Sequence, residues 1–174
     1  YLVLFISMNR GLFIGRFQPF HLGHLKDIKN ALNEVNELII GIGSSQEKYT
    51  KENPFSAEER INMIESVLSS EGIGSYTIFP IPNFNKDKKW IEHIENLVPK
   101  FDVVFTGNDW TERCFKKKGY KVKKIRLIEG ISSTIIRNRI LKNENWRKLV
   151  PEKTVEYLEK IKGVERVKKI YSKK

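Results

Sequence analysis

A repeated alternation of short apolar runs with helical patterns constrains the fold of this chain most strongly. Runs typical of buried strands cover 11–15, 38–42, 76–79 and 102–106, and a further strand is predicted at about 121–127. Segments with helical periodicity separate these runs. Strands that alternate with helices form βαβ units, so we predict an α/β fold, Rossmann-like, with a parallel sheet, helices on both faces and right-handed crossovers.

Apolar residues at spacings of three to four predict the inner faces of the helices. The second helix begins with a capping box, Ser56-Ala-Glu-Glu59, and the third ends before Pro99. A fourth helix is predicted at about 109–118, and after about Ser132 the chain is predicted to be wholly helical. The predicted inner positions are, in chain order, Leu22, Leu25, Ile28 and Leu32; Ile61, Ile64, Val67 and Leu68; Ile91, Ile94 and Leu97; Ile136 and Ile140; Val155, Leu158 and Ile161; Val164, Val167 and Ile170.

The length of 174 residues corresponds to one domain, because domains typically contain about 100–200 residues. We predict a single domain over 8–174. Residues 1–7 are interpreted as an extension that precedes Met8, and the alternative is that they lengthen the first strand. The sequence contains no internal repeat and no linker.

Net charge, cysteine content and hydrophobicity limit the kinds of partner that this chain is expected to bind. Thirty-two Lys and Arg residues against 21 Asp and Glu residues give a net charge of +11, which favours polyanions such as nucleotides or nucleic acid. Cys114 is the only cysteine, which excludes an intramolecular disulfide and fits a reducing cytoplasm. No apolar run approaches the ~20 residues of a membrane span, so no membrane partner is expected.

Basic runs at 116–118, 168–169 and 173–174 are more typical of solvated helix faces than of nucleic-acid sites. No aromatic residues are interleaved with them, as a single-strand binding surface would require. We therefore expect no nucleic-acid partner. The rival hypothesis, a nucleic-acid-binding module, predicts steeply salt-dependent binding that survives loss of the histidine pair described next.

Unusual polar residues concentrate between the first strand and the first helix, where an α/β sheet places its ligand crevice. His21 and His24 are expected on one side of the turn that enters the helix, and Gly23 lets a ligand approach the backbone. A helix N-terminus offers N–H donors and a partial positive charge to phosphate. With Arg16, these residues form a candidate anion site whose donors can follow developing negative charge.

Two other interpretations of the histidines remain open. Loop histidines are commonly surface residues, although a pair in this position makes that less favoured. A zinc site would need at least one more ligand, and neither His93 nor a cysteine cluster obviously supplies it. We therefore expect no dedicated metal site.

A second polar segment lies at 131–139. Ser132, Ser133 or Thr134 can cap a helix, and Arg137 follows one turn later. Hydroxyls, helix N–H groups and an arginine suit the β- and γ-phosphates of a nucleotide. The alternative is an ordinary N-cap on a basic surface helix.

Together the two segments resemble a known superfamily. The form H-x-G-H at 21–24 and the form I-S-S-T-x-x-R at 131–137 are paired in the nucleotidyltransferase α/β-phosphodiesterase superfamily, to which class I aminoacyl-tRNA synthetases are related. The length disfavours a synthetase. The chain resembles the archaeal-type nicotinamide-nucleotide adenylyltransferases from Met8 to about Lys169. The motifs that carry this resemblance are Gly-Arg-Phe-Gln-Pro-Phe-His-Leu-Gly-His at 15–24, Ile-Gly-Ser-Ser-Gln at 42–46, Asn-Pro-Phe-Ser-Ala-Glu-Glu-Arg at 53–60, Thr-Gly-Asn at 106–108 and Gly-Val-Glu-Arg at 163–166.

The resemblance implies a reaction in which the 5′-phosphate of nicotinamide mononucleotide (NMN) attacks the α-phosphorus of ATP, giving NAD and pyrophosphate with Mg²⁺. No covalent enzyme intermediate is expected, since such transfer depends on positioning and charge stabilisation. Mg²⁺ is expected to be held mainly by phosphates and water. The implied catalytic residues are His21, His24, Arg16 and Arg137.

The resemblance also implies binding residues and an oligomeric state. Family members are commonly homo-oligomers. The implied ATP-binding residues are Gly15, Phe17, Gly23, Gly107, Asn108, Ser132, Ser133 and Thr134, and the implied NMN-binding residues are Trp90, Gly41, Gly43 and Ser44. Trp90 matches the family's aromatic residue beside the nicotinamide ring, and the alternative for it is packing at the start of a helix.

The sequence departs from the family pattern at two places. The family often has an arginine or histidine before Asn53-Pro54, where this chain has 49–52, and Asp109-Trp110 stands where a more apolar pair is expected. These departures bear on the acceptor and not on adenylyl transfer. The nearest rival is therefore a member of the same superfamily that uses FMN, phosphopantetheine or another acceptor.

Overall fold

Five parallel strands form the sheet at the centre of this computed structural model, which describes residues 9–84, 86–125 and 128–172. The sheet order is β3-β2-β1-β4-β5. The chain runs outward from β1 through β2 to β3, and then crosses back to place β4 on the other side of β1. The strands are β1 Arg10–Gly15, β2 Glu37–Ile42, β3 Tyr76–Pro80, β4 Val103–Thr106 and β5 Lys121–Lys124.

Seven α-helices connect and follow these strands in the described ranges. Capping explains where one of them begins and where another ends. Ser56 and Glu59 form the predicted capping box of α2, and Gly119, in the left-handed conformation, ends α4. A 3₁₀ turn that the sequence did not predict spans Arg147–Leu149. The helices are α1 Leu22–Leu32, α2 Ala57–Ser70, α3 Asp87–Leu97, α4 Asp109–Lys118, α5 Ser133–Leu141, α6 Glu152–Lys160 and α7 Gly163–Ser172.

The two faces of the sheet bury separate apolar clusters. Alternate residues of β1 enter different clusters, because successive side chains of a strand point to opposite faces. Phe13 packs with α1, α2 and the C-terminal helices, and Leu12 and Ile14 pack with α3 and α4. The predicted α/β fold, with helices on both faces and a helical C-terminal part, is confirmed.

Two details of the sequence prediction are corrected. Leu22 was predicted on the buried face of α1, but it is 36% exposed, and the buried face uses Leu25, Ile28 and Ala31 instead. Leu22 is the first residue of α1, and the layer that packs on the rest of the helix does not cover it. The last strand was predicted to reach 127; β5 ends at Lys124, and residues 126 and 127 lie outside the described residues.

Several predictions concern the ends and the surface of the chain. Residues 1–8 lie outside the described ranges, so both interpretations of 1–7 remain predictions. Lysines 116–118, 168 and 169 are exposed, as predicted for solvated helix faces, and 173–174 are not described. Cys114 is buried and free. Within the described ranges, no helix has the length and apolar character needed to cross a membrane.

Candidate active site

A cleft of about 590 Å³ opens at the carboxyl ends of β1 and β4, where the sheet order reverses. This is the edge at which ligands bind in open parallel sheets. Most of the site residues predicted from sequence line it, together with several that were not predicted. The predicted ones are Gly15, Arg16, Phe17, His21, His24, Gly43, Ser44, Trp90, Gly107, Asn108, Ser132, Ser133, Thr134 and Arg137.

The two histidines cap the first helix by reciprocal hydrogen bonds. The backbone N–H of His24 donates to Nδ1 of His21, and the backbone N–H of His21 donates to Nδ1 of His24, each at 3.2 Å. This is the geometry of a capping box, here made by two imidazoles in place of a hydroxyl and a carboxylate. The rings stack with centroids 3.5 Å apart and planes inclined by 16°.

This reciprocal capping determines which ring nitrogens face a ligand. Because both Nδ1 atoms accept hydrogen bonds, the proton of each neutral ring resides on Nε2. Burial lowers the pKa of His21 from 6.5 to about 4. Burial is the main reason that the pKa of His24 lies well below 6.5, and the charge of His21 is a second, smaller reason. Both rings are therefore neutral Nε2–H donors at pH 7.

Aromatic packing explains why the His24 ring is poorly hydrated. Phe17 meets it edge-on with ring centroids 4.7 Å apart, and Phe20 lies 5.5 Å away on a tilted plane. Phe17 and Phe20 are themselves almost wholly buried. The histidine pair is thus held between an aromatic wall and the cleft.

The start of α5 supplies hydroxyls to the same cleft. Ser132 is the N-cap, and its Oγ accepts from the backbone N–H of Ile135 at 3.1 Å, which decides among the three predicted capping residues. Ser133 donates to the carbonyl oxygen of Pro19 at 2.9 Å. Thr134 is exposed, and its Oγ1 accepts from Nη2 of Arg137 at 3.4 Å.

Arg137 connects α5 to the loop that follows β1. It is only 5% exposed, and its Nη1 donates to the carbonyl oxygen of Gln18 at 2.8 Å. Its buried Nε has no hydrogen-bond partner among the described residues. Arg137 also lines the cleft beside the start of α5, so its positive charge suits an anionic oxygen.

Gln18 and Arg60 are site-forming residues that the sequence reasoning missed. The buried amide of Gln18 pairs with the backbone of Phe55, accepting from its N–H and donating to its carbonyl, each at 2.9 Å. Arg60 is fully buried on α2 and donates only to carbonyl oxygens. Those acceptors belong to Ser56, Arg16, Gly43 and Ser44, at 2.7–3.2 Å.

Arg60 therefore joins the loops after β1 and β2 into one wall of the cleft. The pKa of Arg60 is lowered to about 10, mainly by burial and to a smaller extent by the neighbouring charge of Arg16. The cation is retained because four carbonyl dipoles replace its hydration. Arg16 itself is exposed at the cleft. The available sequence signal was an arginine directly after the capping box of α2, but its position in the sequence does not reveal the direction of its side chain.

The loops after β2 and β3 meet at the opposite side of the cleft. Nδ2 of Asn83 donates to Oγ of Ser44 at 3.0 Å, and the backbone N–H of Asn83 donates to Oε1 of Gln46 at 3.0 Å. Ser44 has a positive φ of 50°. Asn83, also missed from sequence, lines the cleft beside the predicted Ser44.

Two predicted glycines do not line the cleft. Gly41 lies within β2, and a Cβ there would come within 2.4 Å of Cδ1 of Ile81, so this glycine makes room for core packing. A Cβ at Gly23 would come within 3.0 Å of the His21 ring, so Gly23 makes room for the imidazole stack and not for a ligand. Their assignment as binding residues has no support in their placement.

Trp90 is in the first turn of α3 and belongs mainly to the core. It is 3% exposed, and it packs against Phe115 and Trp110 with ring centroids 5.7 and 4.7 Å apart. It also borders the cleft. Packing is thus what the structure shows for Trp90, and stacking on a ligand ring stays a prediction. His93, the third histidine, lies outside the cleft and contacts Phe84.

The N-terminus of α4 forms another cleft wall. Oδ1 of Asn108 accepts from the backbone N–H of Thr111 at 2.9 Å and caps the helix. Gly107 and Asn108 line the cleft where adenosine binding is predicted. Asp27, on α1, is the one carboxylate among the cleft-lining residues, and burial raises its pKa to about 7.

The donor set of the cleft suits only a weakly held divalent cation. In the described part of the chain, no group of three or more His, Cys, Asp or Glu side chains is arranged to hold a metal ion. A single carboxylate, supplemented by phosphate oxygens and water, is a set that Mg²⁺ accepts. The residues present therefore fit a magnesium ion bound mainly through a nucleotide, and Asp27 is the side chain that would hold it.

Comparison with known sequences finds a matching family and close relatives among the nicotinamide-nucleotide adenylyltransferases. The cytidylyltransferase-like family matches residues 12–139. A nicotinamide-nucleotide adenylyltransferase of Thermococcus sibiricus is 45% identical over 163 residues, which covers 91% of this chain and 88% of the relative. One of Methanococcus aeolicus is 43% identical over 166 residues, covering 94% and 96%.

Solved structures with the same fold include a bifunctional NMN adenylyltransferase/ADP ribose pyrophosphatase from Francisella tularensis. One structure matches with a TM-score of 0.81 at 25% identity. Another, complexed with AMP and a manganese ion, matches with a TM-score of 0.76 at 27% identity. Each match covers 94% of this chain but 52% of the Francisella chain, so this chain spans about half the length of that protein.

Proposed function

We propose, because this chain belongs to the nicotinamide-nucleotide adenylyltransferase family, that its cleft binds ATP and NMN and transfers the adenylyl group to the mononucleotide phosphate. The chain is a nucleotidyltransferase whose products are NAD and pyrophosphate. The observation that carries the assignment of the site is that residues of two distant segments predicted to bind phosphate, 15–24 and 131–137, line the same cleft. Neither segment alone distinguishes a nucleotide site from an ordinary helix cap.

The reaction is a displacement at phosphorus. A phosphate oxygen of NMN forms a bond to the α-phosphorus of ATP, and the bond between that phosphorus and the α,β-bridging oxygen breaks. Negative charge increases on the pyrophosphate that leaves. No group on the enzyme needs to become covalently attached, since a positioned nucleophile and charge stabilisation supply the catalysis.

The histidine pair is suited to stabilise the negative charge that develops on the phosphate oxygens. Neutral imidazoles that present Nε2–H groups cannot accept a proton from the nucleophile at the same atoms, so we assign His21 and His24 as donors to phosphate oxygens. Their stack and their reciprocal caps hold both donors in place before the substrates arrive. Preorganised donors of this kind stabilise a transition state without reorganisation.

Arg137 and the start of α5 are assigned to the β- and γ-phosphates. The arginine is oriented by its hydrogen bond to the carbonyl oxygen of Gln18, and it lines the cleft. Ser132, Ser133 and Thr134 add hydroxyls and helix N–H groups. Arg16, exposed at the cleft, adds a further positive charge for the phosphates.

The remaining assignments place the two nucleosides in different parts of the cleft. We place adenosine against Gly107 and Asn108, and the mononucleotide toward Gly43, Ser44 and Trp90, on the side where Asn83 lies. Gly15 and Phe17 form the floor between these sites. Mg²⁺ would neutralise charge on the phosphates of ATP. The Francisella relative was crystallised with manganese, which supports use of a divalent cation.

The decisive experiment is an acceptor panel with product identification. Purified protein, ATP and Mg²⁺ are incubated separately with NMN, FMN and phosphopantetheine. The products are separated and identified by mass spectrometry. NAD and pyrophosphate are expected from NMN, with little product from the other acceptors. Formation of FAD or dephospho-coenzyme A without NAD would contradict the acceptor while retaining adenylyl transfer.

Two further features remain proposals. We propose a homo-oligomer, because members of the resembled family commonly assemble in that way, and light scattering on the purified protein tests it. We also propose a cytoplasmic location, which fits the single, free and buried Cys114. Fractionation of the source cells tests that proposal.

A further inference from the structure

The Gly-Val-Glu-Arg motif at 163–166, at the start of α7, has no part in the assignments above. None of its four residues lines the cleft of the described structure. Its first and last residues nevertheless contact the β2–α2 loop (residues 43–56), which joins β2 to α2. This loop begins with Gly43 and Ser44, at the proposed acceptor side of the cleft.

Arg166 joins α7 to this loop and to the first turn of α2. Its Nη1 donates to Oε2 of Glu59 at 2.7 Å, and its guanidinium lies over the ring of Tyr49, 4.8 Å from the centroid. The ion pair is the most shielded among the described residues, with side chains 24% and 15% exposed, so solvent weakens it less than a surface pair. Arg166 therefore fixes Tyr49 and Glu59 relative to α7.

Glu59 connects this ion pair to the wall of the cleft. The same Oε2 accepts from the backbone N–H of Ser56 at 2.9 Å, so the capping box of α2 and the ion pair share one oxygen. The next residue, Arg60, donates to the carbonyl oxygens of Gly43 and Ser44 at 2.7 and 3.1 Å. Loss of the ion pair is thus expected to loosen the start of α2 and the carbonyl contacts that hold this side of the cleft.

Other contacts hold the rest of the loop against α7. A Cβ at Gly163 would come within 3.0 Å of the Phe55 ring, so this glycine lets α7 approach the end of the loop closely. Oη of Tyr171 donates to the carbonyl oxygen of Lys51 at 2.9 Å. Within the loop, Tyr49 has a φ of 58°, a left-handed conformation that is strained for a bulky residue and persists only where its surroundings enforce it. Helix α7 supplies such surroundings.

We propose that Arg166 is a positioning residue for acceptor binding, which through Glu59 and Tyr49 holds the β2–α2 loop so that Ser44 faces the acceptor. This inference rests on the proposed function, since it takes NMN to be the ligand at this side of the cleft. A loop that is held in place before its ligand arrives loses less conformational freedom on binding, so the ligand binds more tightly. ATP is assigned to other elements, at the starts of α4 and α5, and should respond less.

Steady-state kinetics with each substrate varied separately test this role. Arg166→Ala is expected to raise KM for NMN by about 2- to 30-fold, the range typical of residues coupled to a site without touching its ligand, and to change kcat and KM for ATP by less than about twofold. Arg166→Lys keeps the ion pair but not the flat contact with Tyr49, so it should recover part of the loss.

Arg147→Ala is the matched control. Arg147 also pairs with one glutamate, Glu159, at 3.0 Å and lies over one aromatic ring, that of Trp146, at 4.9 Å. Neither partner belongs to the β2–α2 loop or lines the cleft. This control therefore removes the same kinds of contact from α6 and the turn before it, and it should leave KM for both substrates unchanged.

A double-mutant cycle tests whether Arg166 acts through Ser44. If it does, adding Arg166→Ala to Ser44→Ala should raise KM for NMN by less than Arg166→Ala does in the wild-type protein. Effects that multiply fully would contradict this connection.

Hydrogen exchange followed by mass spectrometry provides a readout that does not depend on turnover. Amides of 43–60 should exchange faster in Arg166→Ala than in the wild-type protein or in Arg147→Ala. NMN without ATP should slow this exchange in the wild-type protein. Exchange of 43–60 that is the same in Arg166→Ala and the wild-type protein would contradict the proposal.

The outcomes separate this inference from the proposed function. If the wild-type protein makes no NAD, the proposed function fails. If it makes NAD but Arg166→Ala raises KM for NMN no more than Arg147→Ala does, or raises KM for ATP by the same factor, the proposal for Arg166 is wrong. A lower melting temperature with an unchanged KM for NMN also contradicts it, since Arg166 would then only stabilise the fold. If Arg166→Ala does not fold, Tyr49→Ala, at a half-exposed position, removes the ring contact alone and should still raise KM for NMN by at least about twofold.

Discussion

Nη1 of Arg137 donates a 2.8 Å hydrogen bond to the carbonyl oxygen of Gln18, and this bond joins two segments that are 119 residues apart. The same guanidinium retains a buried Nε without a partner in the described structure. Arg137 also lines the cleft, so it both joins these two segments and places a positive charge beside the proposed phosphate site. Substitution of Arg137 should therefore affect both the stability of the fold and the binding of phosphate, to different degrees.

Arg137→Ala is expected to raise KM for ATP by about 10- to 100-fold, as for a lost charge-assisted hydrogen bond worth about 1.5–3 kcal/mol. KM for NMN should change much less. Kinetics with each substrate varied separately measure the effect. Arg139→Ala on the same helix is the control, because Arg139 donates to the carbonyl of Asn145 and does not line the cleft. Equal effects of both substitutions would contradict a specific role of Arg137.

Two substitutions of His24 separate capping from catalysis. Asparagine places an acceptor close to the position of Nδ1, so His24→Asn should keep the cap to the His21 N–H but lose the Nε2 donor. Glutamine instead reaches toward the Nε2 position and should weaken the cap. We expect His24→Asn to fold normally and to lower kcat by about 10²–10⁴-fold, as for a lost transition-state donor.

His24→Gln should retain more turnover than His24→Asn and should melt at a lower temperature. Thermal melts and single-turnover rates measure both variants. His93→Ala is the control, because His93 lies outside the cleft. Turnover of His24→Asn close to that of the wild type would remove this residue from the mechanism.

The buried His21 should make stability depend on pH. Its pKa is about 4 in the folded protein and near 6.5 when unfolded, so between these values the unfolded chain binds more protons. The contribution to stability is present above pH 6.5 and is lost as the pH falls toward 4. Asparagine is a good N-cap and does not titrate, so His21→Asn should flatten this dependence. Urea unfolding at pH 7.5, 6 and 5 checks it, and parallel curves for both proteins would contradict it.

Arg60→Lys should destabilise the protein despite keeping the charge. An ammonium has three donors on one atom and cannot reach the carbonyls of Ser56, Arg16, Gly43 and Ser44 together. Loss of bonds in a buried network is expected to cost about 2–4 kcal/mol of unfolding free energy. Denaturant unfolding measures it. Arg147→Lys, in an exposed ion pair with Glu159, should change stability by less than about 0.5 kcal/mol.

Local patterns in the sequence were sufficient to predict the strands and most of the helices. The capping box at Ser56, the strand periods and the helix at 109–118 depend on residues within a few positions of one another, and the structure has each of them. The resemblance to the nucleotidyltransferase superfamily, and not spacing along the chain, predicted that the histidine pair and the serine-rich helix start share one site, and both line the cleft. Leu22 was mispredicted because a helical stripe does not reveal which of its turns is covered.

The sequence by itself therefore determined the succession of strands and helices along the chain and the capping box of α2, because each of these arises from neighbouring residues. Only the tertiary structure decided that Gly41 makes room for Ile81, that Arg60 joins two loops, and that Trp110 and not Trp90 is exposed in the cleft. These properties depend on which distant side chains and carbonyls come within van der Waals or hydrogen-bond distance after packing. Neither periodicity nor spacing along the chain records such distances.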